Sequence, residues 1–225
     1  SLLRRILSSR MKRTLRKNVS RFGGFLTSSP GLSDYFDQEF QFKSTVVLNV
    51  RNASPLPRPM TETIGFFGRI RDFEAMISLV ECSERTGFHP IVAGDGPCVN
   101  QLLKRYPLLD YRGLFEDTQL AELMAEIDVM YAMYNPKTEN IRQGALPVKM
   151  FDAAAFGRPT VTSAHVPMGD FCLENKLGAV ASFGDRDSIS TAIKEAYEMD
   201  VLSIHSEENE REKFVTLVQS ILDTE

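Results

Sequence analysis

The sequence is poor in the residues that mark several common classes of protein. Its 225 residues contain no tryptophan and only three histidines and three cysteines. The cysteines are odd in number and widely spaced, which indicates a reducing compartment and argues against a disulfide framework or a zinc site. No apolar run approaches the roughly 18 residues that a transmembrane helix needs. The remaining composition is ordinary for a soluble globular protein of one large or two small domains.

Acidic residues are missing from the first 22 positions, and this separates the segment from the rest of the chain. Residues 1–22 hold eight of the 26 basic residues, so the remainder has 18 basic against 30 acidic residues. An apolar residue also recurs at every fourth position of this segment, at Leu3, Leu7, Met11, Leu15 and Val19. The spacing predicts an amphipathic basic helix.

Three roles are open for this basic helix. It can pack on a neighbouring domain with its charges in solvent, or lie on an anionic membrane surface. It can also belong to an organelle-targeting peptide, which is typically rich in arginine and serine and poor in acids. Nucleic acid is not an expected partner, because the acidic remainder of the chain would repel it.

From Thr63 onward, predicted strands and helices alternate about six times. The strands are nearly continuous apolar runs, which predicts a parallel sheet covered by helices on both faces. This is the doubly wound, Rossmann-like α/β fold, which binds ligands at the carboxyl ends of its strands. The predicted strands are TIGFFG, HPIVAG, LDYRGLF, DVMYAMY, PTVTSA and GAVASF.

The chain before Thr63 and the connections between strands give further expectations. Strands are predicted within GGFLTSSPGLSDYF and at TVVLNV, and the Pro-rich stretch Asn52–Met60 is predicted to be a linker. Residues Gly169–Cys172 are expected in a turn. A C-terminal helix should carry Phe214, Leu217, Val218, Ile221 and Leu222 on one face. Helix caps are expected at Asp72, and at Asp117 or Thr118.

Three short motifs have a functional and an ordinary interpretation each. Arginines follow a strand in IGFFGRIRDFEA and can clamp a phosphate, or can be solvated loop residues. The glycine pair of VAGDGPCV is a weak dinucleotide signal and also fits a tight turn. Asp185 and Asp187 have the spacing of a metal-binding pair, but they directly precede a helix, which favours a cap.

The stretch GALPVKMFDAAAFGRPTVTSA places a cation where a helix disfavours one. Pro147 suits the first helical turn, Lys149 follows in that turn, and Asp152 lies three residues further on the same helix face. A bound anion would remove the conflict with the helix dipole. The ordinary alternative is a surface pair between Lys149 and Asp152, worth a few tenths of a kcal/mol.

In this order, the motifs resemble the carboxyl-terminal half of the large "group one" family of retaining glycosyltransferases, which have the two-domain GT-B fold. The resemblance covers the chain from about Gly23 to its end. It rests on five pieces in the right order and spacing, since each piece alone is weak. The pieces are IGFFGRI, IVAGDGP, LLDYRGLF, LAELMAEIDVMYAM and LPVKMFDAAAFGRPTV.

The resemblance implies that this half binds a nucleotide-diphospho-sugar without a metal or another cofactor. The family's diphosphate-binding arginine corresponds to Arg69, but its usual lysine falls near Glu74, so Arg71 or Lys149 is expected to replace it. Asp152 matches the acid that accepts hydrogen bonds from the ribose hydroxyls. A second family acid corresponds to Gly144, which cannot serve. The resulting donor-binding residues are Gly68, Arg69, Arg71, Gly96, Leu146, Lys149 and Asp152, with no catalytic residue among them.

The resemblance also implies how the chain is divided and what the whole enzyme does. Residues 1–42 would be the end of an acceptor domain, 43–62 a crossover strand and linker, 63–200 the donor domain and 201–225 a C-terminal helix. The acceptor would be a glycan or a lipid-linked molecule in polysaccharide or glycolipid biosynthesis, in the cytoplasm or at the inner membrane surface. The chain begins with Ser1, and we expect it to be an inactive fragment. Two alternatives are a nucleotide-sugar epimerase and a degenerate, non-catalytic binding domain.

Overall fold

The computed structural model describes residues 2–41, 43–202 and 205–223. The chain divides into two compact units, one formed by Ser1–Leu48 with Glu207–Glu225 and the other by Asn49–Ser206. We call them the smaller and the larger unit. None of the helices in the described part of the chain has both the length and the hydropathy of a membrane span.

The smaller unit begins with the predicted basic helix, α1 (Leu2–Asn18), which a 3-10 turn at Val19–Arg21 extends. Two short parallel strands, β1 (Leu26–Thr27) and β2 (Thr45–Val46), flank helix α2 (Pro30–Phe40), and a last helix spans Glu207–Leu222. Helix α1 packs on α2 through two of its cations. The Lys12 ammonium donates to Glu39 at 2.8 Å, and the Arg16 guanidinium lies over the ring of Phe40.

The last helix packs on the rest of the smaller unit through only part of its apolar surface. An added Cβ on Gly23 or Gly24 would overlap Ile221 or Leu217, so the two glycines allow this close approach. The buried carboxylate of Glu210 accepts a hydrogen bond from the Leu48 amide at 2.7 Å. The other residues of the predicted apolar face are largely exposed: Phe214, Val218 and Leu222.

The larger unit confirms the predicted doubly wound fold. Its six strands are all parallel, in the order β5-β4-β3-β6-β7-β8. Separate apolar cores lie on the two faces of the sheet. The strands are β3 (Thr63–Phe67), β4 (His89–Ala93), β5 (Asp110–Tyr111), β6 (Val129–Ala132), β7 (Thr160–Ser163) and β8 (Gly178–Ala181).

Seven α-helices of the larger unit are described, and they connect or cover the strands. Residues of α3, α4 and α9 contribute to one core, and residues of α5 and α7 contribute to the other. The helices are α3 (Phe73–Thr86), α4 (Val99–Arg105), α5 (Leu120–Ala125, after a 3-10 turn at Asp117–Gln119), α6 (Glu139–Arg142), α7 (Val148–Ala155), α8 (Pro167–Glu174) and α9 (Arg186–Tyr197).

Two local predictions for the larger unit were wrong. Residues Gly169–Cys172 lie inside α8 and not in a turn, because Gly169 serves close packing: an added Cβ there would overlap the Ser163 carbonyl oxygen. The 3-10 turn before α5 is capped by Glu116, whose side chain forms a reciprocal capping box with Gln119. Asp117 is not the cap, because its carboxylate binds an arginine described below.

The predicted linker is held firmly against the rest of the larger unit, to which it belongs. The wholly buried guanidinium of Arg158 donates to the carbonyl oxygens of Leu56 and Pro57, and also to those of Met124 and Phe156. The wholly buried carboxylate of Asp128 accepts from the backbone amides of Met60, Thr61 and Thr63 at 2.8–3.1 Å. Side chains therefore satisfy backbone groups that a Pro-rich segment cannot pair with itself.

We predict that Arg158→Met lowers the free energy of unfolding by about 3 kcal/mol. Methionine fills a similar volume but leaves buried carbonyl oxygens without donors, each loss being worth about 1–3 kcal/mol and not additive. Urea denaturation measures the effect, with Arg142→Met as the control because Arg142 is exposed. Equal denaturation midpoints for the two variants would show that the linker does not depend on Arg158.

Candidate functional site

A crevice at the carboxyl ends of β3 and β6 is the first feature of the candidate site. These strands are neighbours in the middle of the sheet, and the chain leaves them in opposite directions, through β4 and β5 or through β7 and β8. The loops that follow them therefore diverge, which opens a binding crevice in doubly wound folds. A cavity of about 200 Å³ lies there, and its lining includes Arg71, Tyr134, Asn135, Leu146 and Pro147.

Glycines hold the arginine-bearing loop after β3 against the loop after β4. An added Cβ on Gly94 would overlap the carbonyl oxygen of Gly68, and one on Gly96 would overlap that of Ile70. The Gly68 amide donates to Ala93 O at 2.9 Å. The glycine pair of the sequence thus has a packing role in the structure, while the predicted ligand contact of Gly96 stays a prediction.

The two arginines of this loop are exposed. Arg69 has 60% of its side chain accessible, and among the described residues its one acidic contact is Asp95, at 3.9 Å. Arg71 makes no hydrogen bond or ion pair with any residue that the structure describes. Both guanidinium groups therefore retain nearly all of their hydrogen-bonding capacity for a ligand.

Lys149 lies beside the same loop as a half-buried cation. Helix α7 begins one residue later than expected, with Pro147 as its N-cap, so Lys149 is still in the first turn. Its ammonium is 3.4 Å from the ring centre of Phe66 and 5.8 Å from that of Tyr134. Burial, and secondly the charge of Arg71, lower the pKa of Lys149 to about 7.

The Lys149 ammonium is not neutralised by a carboxylate of the described residues. Among the described residues, no acid lies within ion-pair distance of Lys149, so the surface pair with Asp152 is not formed. The contact with Phe66 is a cation–π interaction, which supplies about 1–2 kcal/mol at a partly desolvated site. A partly buried cation held only by aromatic faces is an arrangement that an anionic ligand would stabilise.

Asp152, one turn further along α7, is engaged by an arginine that the sequence analysis missed. Its Oδ1 accepts from Arg51 Nε at 2.6 Å, and the terminal nitrogens of Arg51 donate to both oxygens of Asp117 at 2.6 and 3.1 Å. Asp152 is 9% exposed, and burial raises its pKa, while Arg51 opposes that shift. The sequence offers no local signal for Arg51, because it lies about 100 residues from Asp152.

The remaining predicted positions have structural partners or line the cavity. Leu146 is buried and lines the cavity, and Gly68 lies next to Lys149, whose Nζ would be 3.6 Å from a Cβ at that glycine. Glu74, where the family has a lysine, accepts from Arg186 at 2.9 Å. The structure thus brings Gly68, Arg71, Leu146 and Lys149 to one edge of the sheet.

The Asp185–Asp187 pair has structural roles. The Asp185 carboxylate caps α9 by accepting from the amides of Asp187 and Ser188, as the sequence predicted. Asp187 pairs with Arg85. Within residues 2–41, 43–202 and 205–223, no group of three His, Cys, Asp or Glu side chains has the arrangement of a metal site.

Comparison with known proteins identifies the fold. No family model and no curated protein matches the sequence. Similar solved structures include a point mutant of TarM of Staphylococcus aureus in complex with fondaparinux, alpha-GlcNAc-glycerol and UDP (14% identity, TM-score 0.64, 94% of this chain and 45% of that chain). They also include a glycosyltransferase of Rickettsia africae (12% identity, TM-score 0.60, 93% of this chain and 62% of that chain). A third is a sucrose-phosphate synthase of Thermosynechococcus elongatus (15% identity, TM-score 0.53, 88% of this chain and 56% of that chain).

These similarities agree with the predicted fold class, the Rossmann-like half of a GT-B glycosyltransferase fold. At 12–15% identity the likeness concerns the fold. The chain spans about half of the length of these structures, between 45% and 62%.

We predict that Lys149→Met stabilises the chain, by about 1–2 kcal/mol near neutral pH, because it removes a poorly compensated partly buried charge. Folding lowers the pKa of Lys149 from 10.5 to about 7, so between these values the unfolded state holds the extra proton. The stability of the parent therefore rises with pH in this window, and the advantage of the variant shrinks. Urea denaturation at several pH values measures this difference, with the exposed Lys104→Met as control. An advantage that stays constant from pH 7 to about 10.5 would contradict the interpretation.

Proposed function

We propose that the larger unit binds a nucleotide-diphospho-sugar as the donor-binding part of a retaining glycosyltransferase. The observation that carries the proposal is the set of unneutralised cations at the crevice between β3 and β6. Arg71 and Lys149 have no acidic partner among the described residues, and Arg69 has only a 3.9 Å contact. Because this fold binds ligands at this crevice, a set of unpaired cations there favours the binding of a diphosphate.

The geometry supports a model in which the cations bind the diphosphate and the carboxylate of Asp152 binds the ribose. Lys149 sits in the first turn of α7, where free backbone N–H groups and the helix dipole favour an anion. The charge of a diphosphate there would raise the lowered pKa of Lys149 and offset its desolvation. Asp152, with one oxygen occupied by Arg51, suits the neutral hydroxyls of a ribose.

The transfer step follows from the same charges. Departure of the nucleoside diphosphate develops negative charge on its outer phosphate, and Arg69, Arg71 and Lys149 would stabilise that charge. We assign no general base to this chain. Retention of configuration, a glycan or lipid-linked acceptor, and the inactivity of these 225 residues alone stay proposals that rest on the resemblance.

The proposed binding needs no divalent cation, since the protein's own cations face the diphosphate. Asp185, the first residue of the motif that resembles a metal-carrying pair, uses its carboxylate as a helix cap. A chelator should therefore leave the affinity for a nucleoside diphosphate unchanged.

The experiment is calorimetric binding of UDP, ADP and GDP, and of the matching nucleosides, with and without a chelator. For the tightest diphosphate, Lys149→Ala should weaken binding about ten- to a hundredfold, since a hydrogen bond to a charged group is worth about 1.5–3 kcal/mol. It should barely change binding of the nucleoside, and the effect should shrink with salt. Arg71→Ala should act in the same direction, but less, because Arg71 is exposed.

The exposed Lys104→Ala is the matched control, because it removes one cation from a helix on the same unit. A folded parent that binds none of the diphosphates would contradict the proposal and favour a degenerate domain. Equal affinities of Lys149→Ala, Arg71→Ala and Lys104→Ala would place the ligand elsewhere.

We also propose that the basic helix α1 contacts an anionic membrane. Two of its cations are used inside the unit, because Lys12 and Arg16 both bind Glu39. Others, including Arg10, Arg13 and Lys17, are exposed, and so is Met11, at 72%. Exposed cations beside an exposed apolar side chain fit a surface of anionic lipid headgroups.

Reversing Arg10, Arg13 and Lys17 to glutamate should abolish binding to vesicles that contain phosphatidylserine. Each basic residue near such a surface contributes about 1 kcal/mol, and each reversal also adds repulsion. Co-sedimentation measures the bound fraction, with phosphatidylcholine vesicles as the neutral surface. The control variant replaces the exposed Lys104, Arg142 and Lys194 with glutamate, which changes the net charge by the same amount but on the larger unit. If both triple variants sediment like the parent, α1 serves only in packing.

A further inference from the structure

Arg51 has the geometry of a residue that prepares the nucleotide site without touching the nucleotide. It belongs to the segment before the first strand of the large sheet, outside every motif that indicates ligand binding. The Arg51 side chain is 26% exposed and joins the side chains of Asp152 and Asp117, which are 13% and 76% exposed. One cation thus holds two carboxylates that are 35 residues apart in sequence.

The charge balance of this trio explains why Asp152 can be ionised in a buried position. A buried carboxylate without a partner would be protonated, since desolvation disfavours its charged form. Burial indeed raises the pKa of Asp152, and the hydrogen bond and charge of Arg51 are the main opposing influences. Two other charges face the carboxylate: Asp117 raises its pKa and Lys149 lowers it.

The same bond decides which atom of Asp152 is available. Arg51 occupies Oδ1, whereas Oδ2 accepts no hydrogen bond from the part of the chain that the structure describes. A carboxylate oxygen has two lone-pair directions, so Oδ2 can accept hydrogen bonds from neutral hydroxyls. The charge that would attract a second cation is already compensated.

We infer that Arg51 is a positioning residue that keeps the Asp152 carboxylate ionised and oriented, with Oδ2 directed to the 2′ and 3′ hydroxyls of a ribonucleotide. This inference rests on the proposed function. It adds a specificity to that function, namely discrimination between a ribose diol and a sugar without hydroxyls. Asp117 takes part by fixing the other end of the guanidinium with two hydrogen bonds.

The test compares the nucleoside diphosphate that binds most tightly among UDP, ADP and GDP with its 2′,3′-dideoxy analogue. The parent should bind the diol form at least about tenfold more tightly, since one or two hydrogen bonds to a charged group are lost in the analogue. In Arg51→Met this ratio should fall towards one at neutral pH. Affinity for the dideoxy analogue should change little, because the diphosphate contacts remain.

The pH profile separates positioning from a merely structural role. Without Arg51 the pKa of Asp152 should rise. When the pH is lowered, Asp152 of Arg51→Met should therefore become protonated, and the diol preference lost, at a higher pH than in the parent. Arg51→Lys should return that pH towards the parental value, because it restores the charge without the forked geometry. Asp117→Asn should retain most of the preference, since the contact between Arg51 and Asp152 stays.

The outcomes distinguish a failure of the inference from a failure of the proposed function. A parent that binds no nucleoside diphosphate overturns both. A parent that binds with a diol preference, together with an Arg51→Met variant that keeps the same preference and pH profile, overturns the inference alone. Equal weakening of the diol and dideoxy forms in Arg51→Met also overturns it, because that pattern indicates general damage to the fold.

Discussion

The parallel direction of the six strands in the larger unit decides where its functional groups lie. Because all carboxyl ends meet at one edge, the loops after β3 and β6 and the start of α7 are brought together, although the loop after β3 lies about 60 to 80 residues before the other two segments. The strand order then reverses between β3 and β6, and the loops separate instead of closing over the edge. Arg71, Lys149 and Tyr134 are neighbours there for this topological reason.

The residues that surround the crevice have well-satisfied hydrogen bonds and close packing, whereas Lys149 in the crevice does not. Buried Arg158 and Asp128 satisfy the backbone of the segment that precedes β3, and Gly94 and Gly96 hold adjacent loops in contact. Lys149 lacks such support, since aromatic rings are its nearest partners. A rigid frame that holds an incompletely stabilised cation is the pattern expected where a ligand completes the interactions.

Much of the fold could be predicted because its signals are local. Apolar runs gave the six strands, Asp72 and Asp185 cap the helices that follow them, and Gly87 ends α3. The errors have a common physical origin in long-range packing. Gly169 looks like a turn residue in sequence, but its lack of a side chain serves the contact with Ser163. Asp117 looks like a cap, but Arg51 binds it across 66 positions of sequence.

For the candidate site, too, the local signals in the sequence matched the structure better than the long-range contacts could be foreseen. The conflict between Lys149 and the helix dipole is a local signal, and it indicated a residue that lies at the carboxyl edge of the sheet, where ligand binding stays a prediction. The local pairing rule for residues three apart suggested a contact between Lys149 and Asp152 that is not formed, because Arg51 binds the carboxylate instead. As a result, Asp152 forms an ion pair with Arg51, whereas Lys149 forms no ion pair with any residue that the structure describes. Had the two residues paired, each would have neutralised the other, and neither a diphosphate nor a diol would find an unsatisfied group in this turn. The arginine from outside the motif is therefore what leaves Lys149 available to an anion, while Asp152 keeps an oxygen for hydroxyl groups.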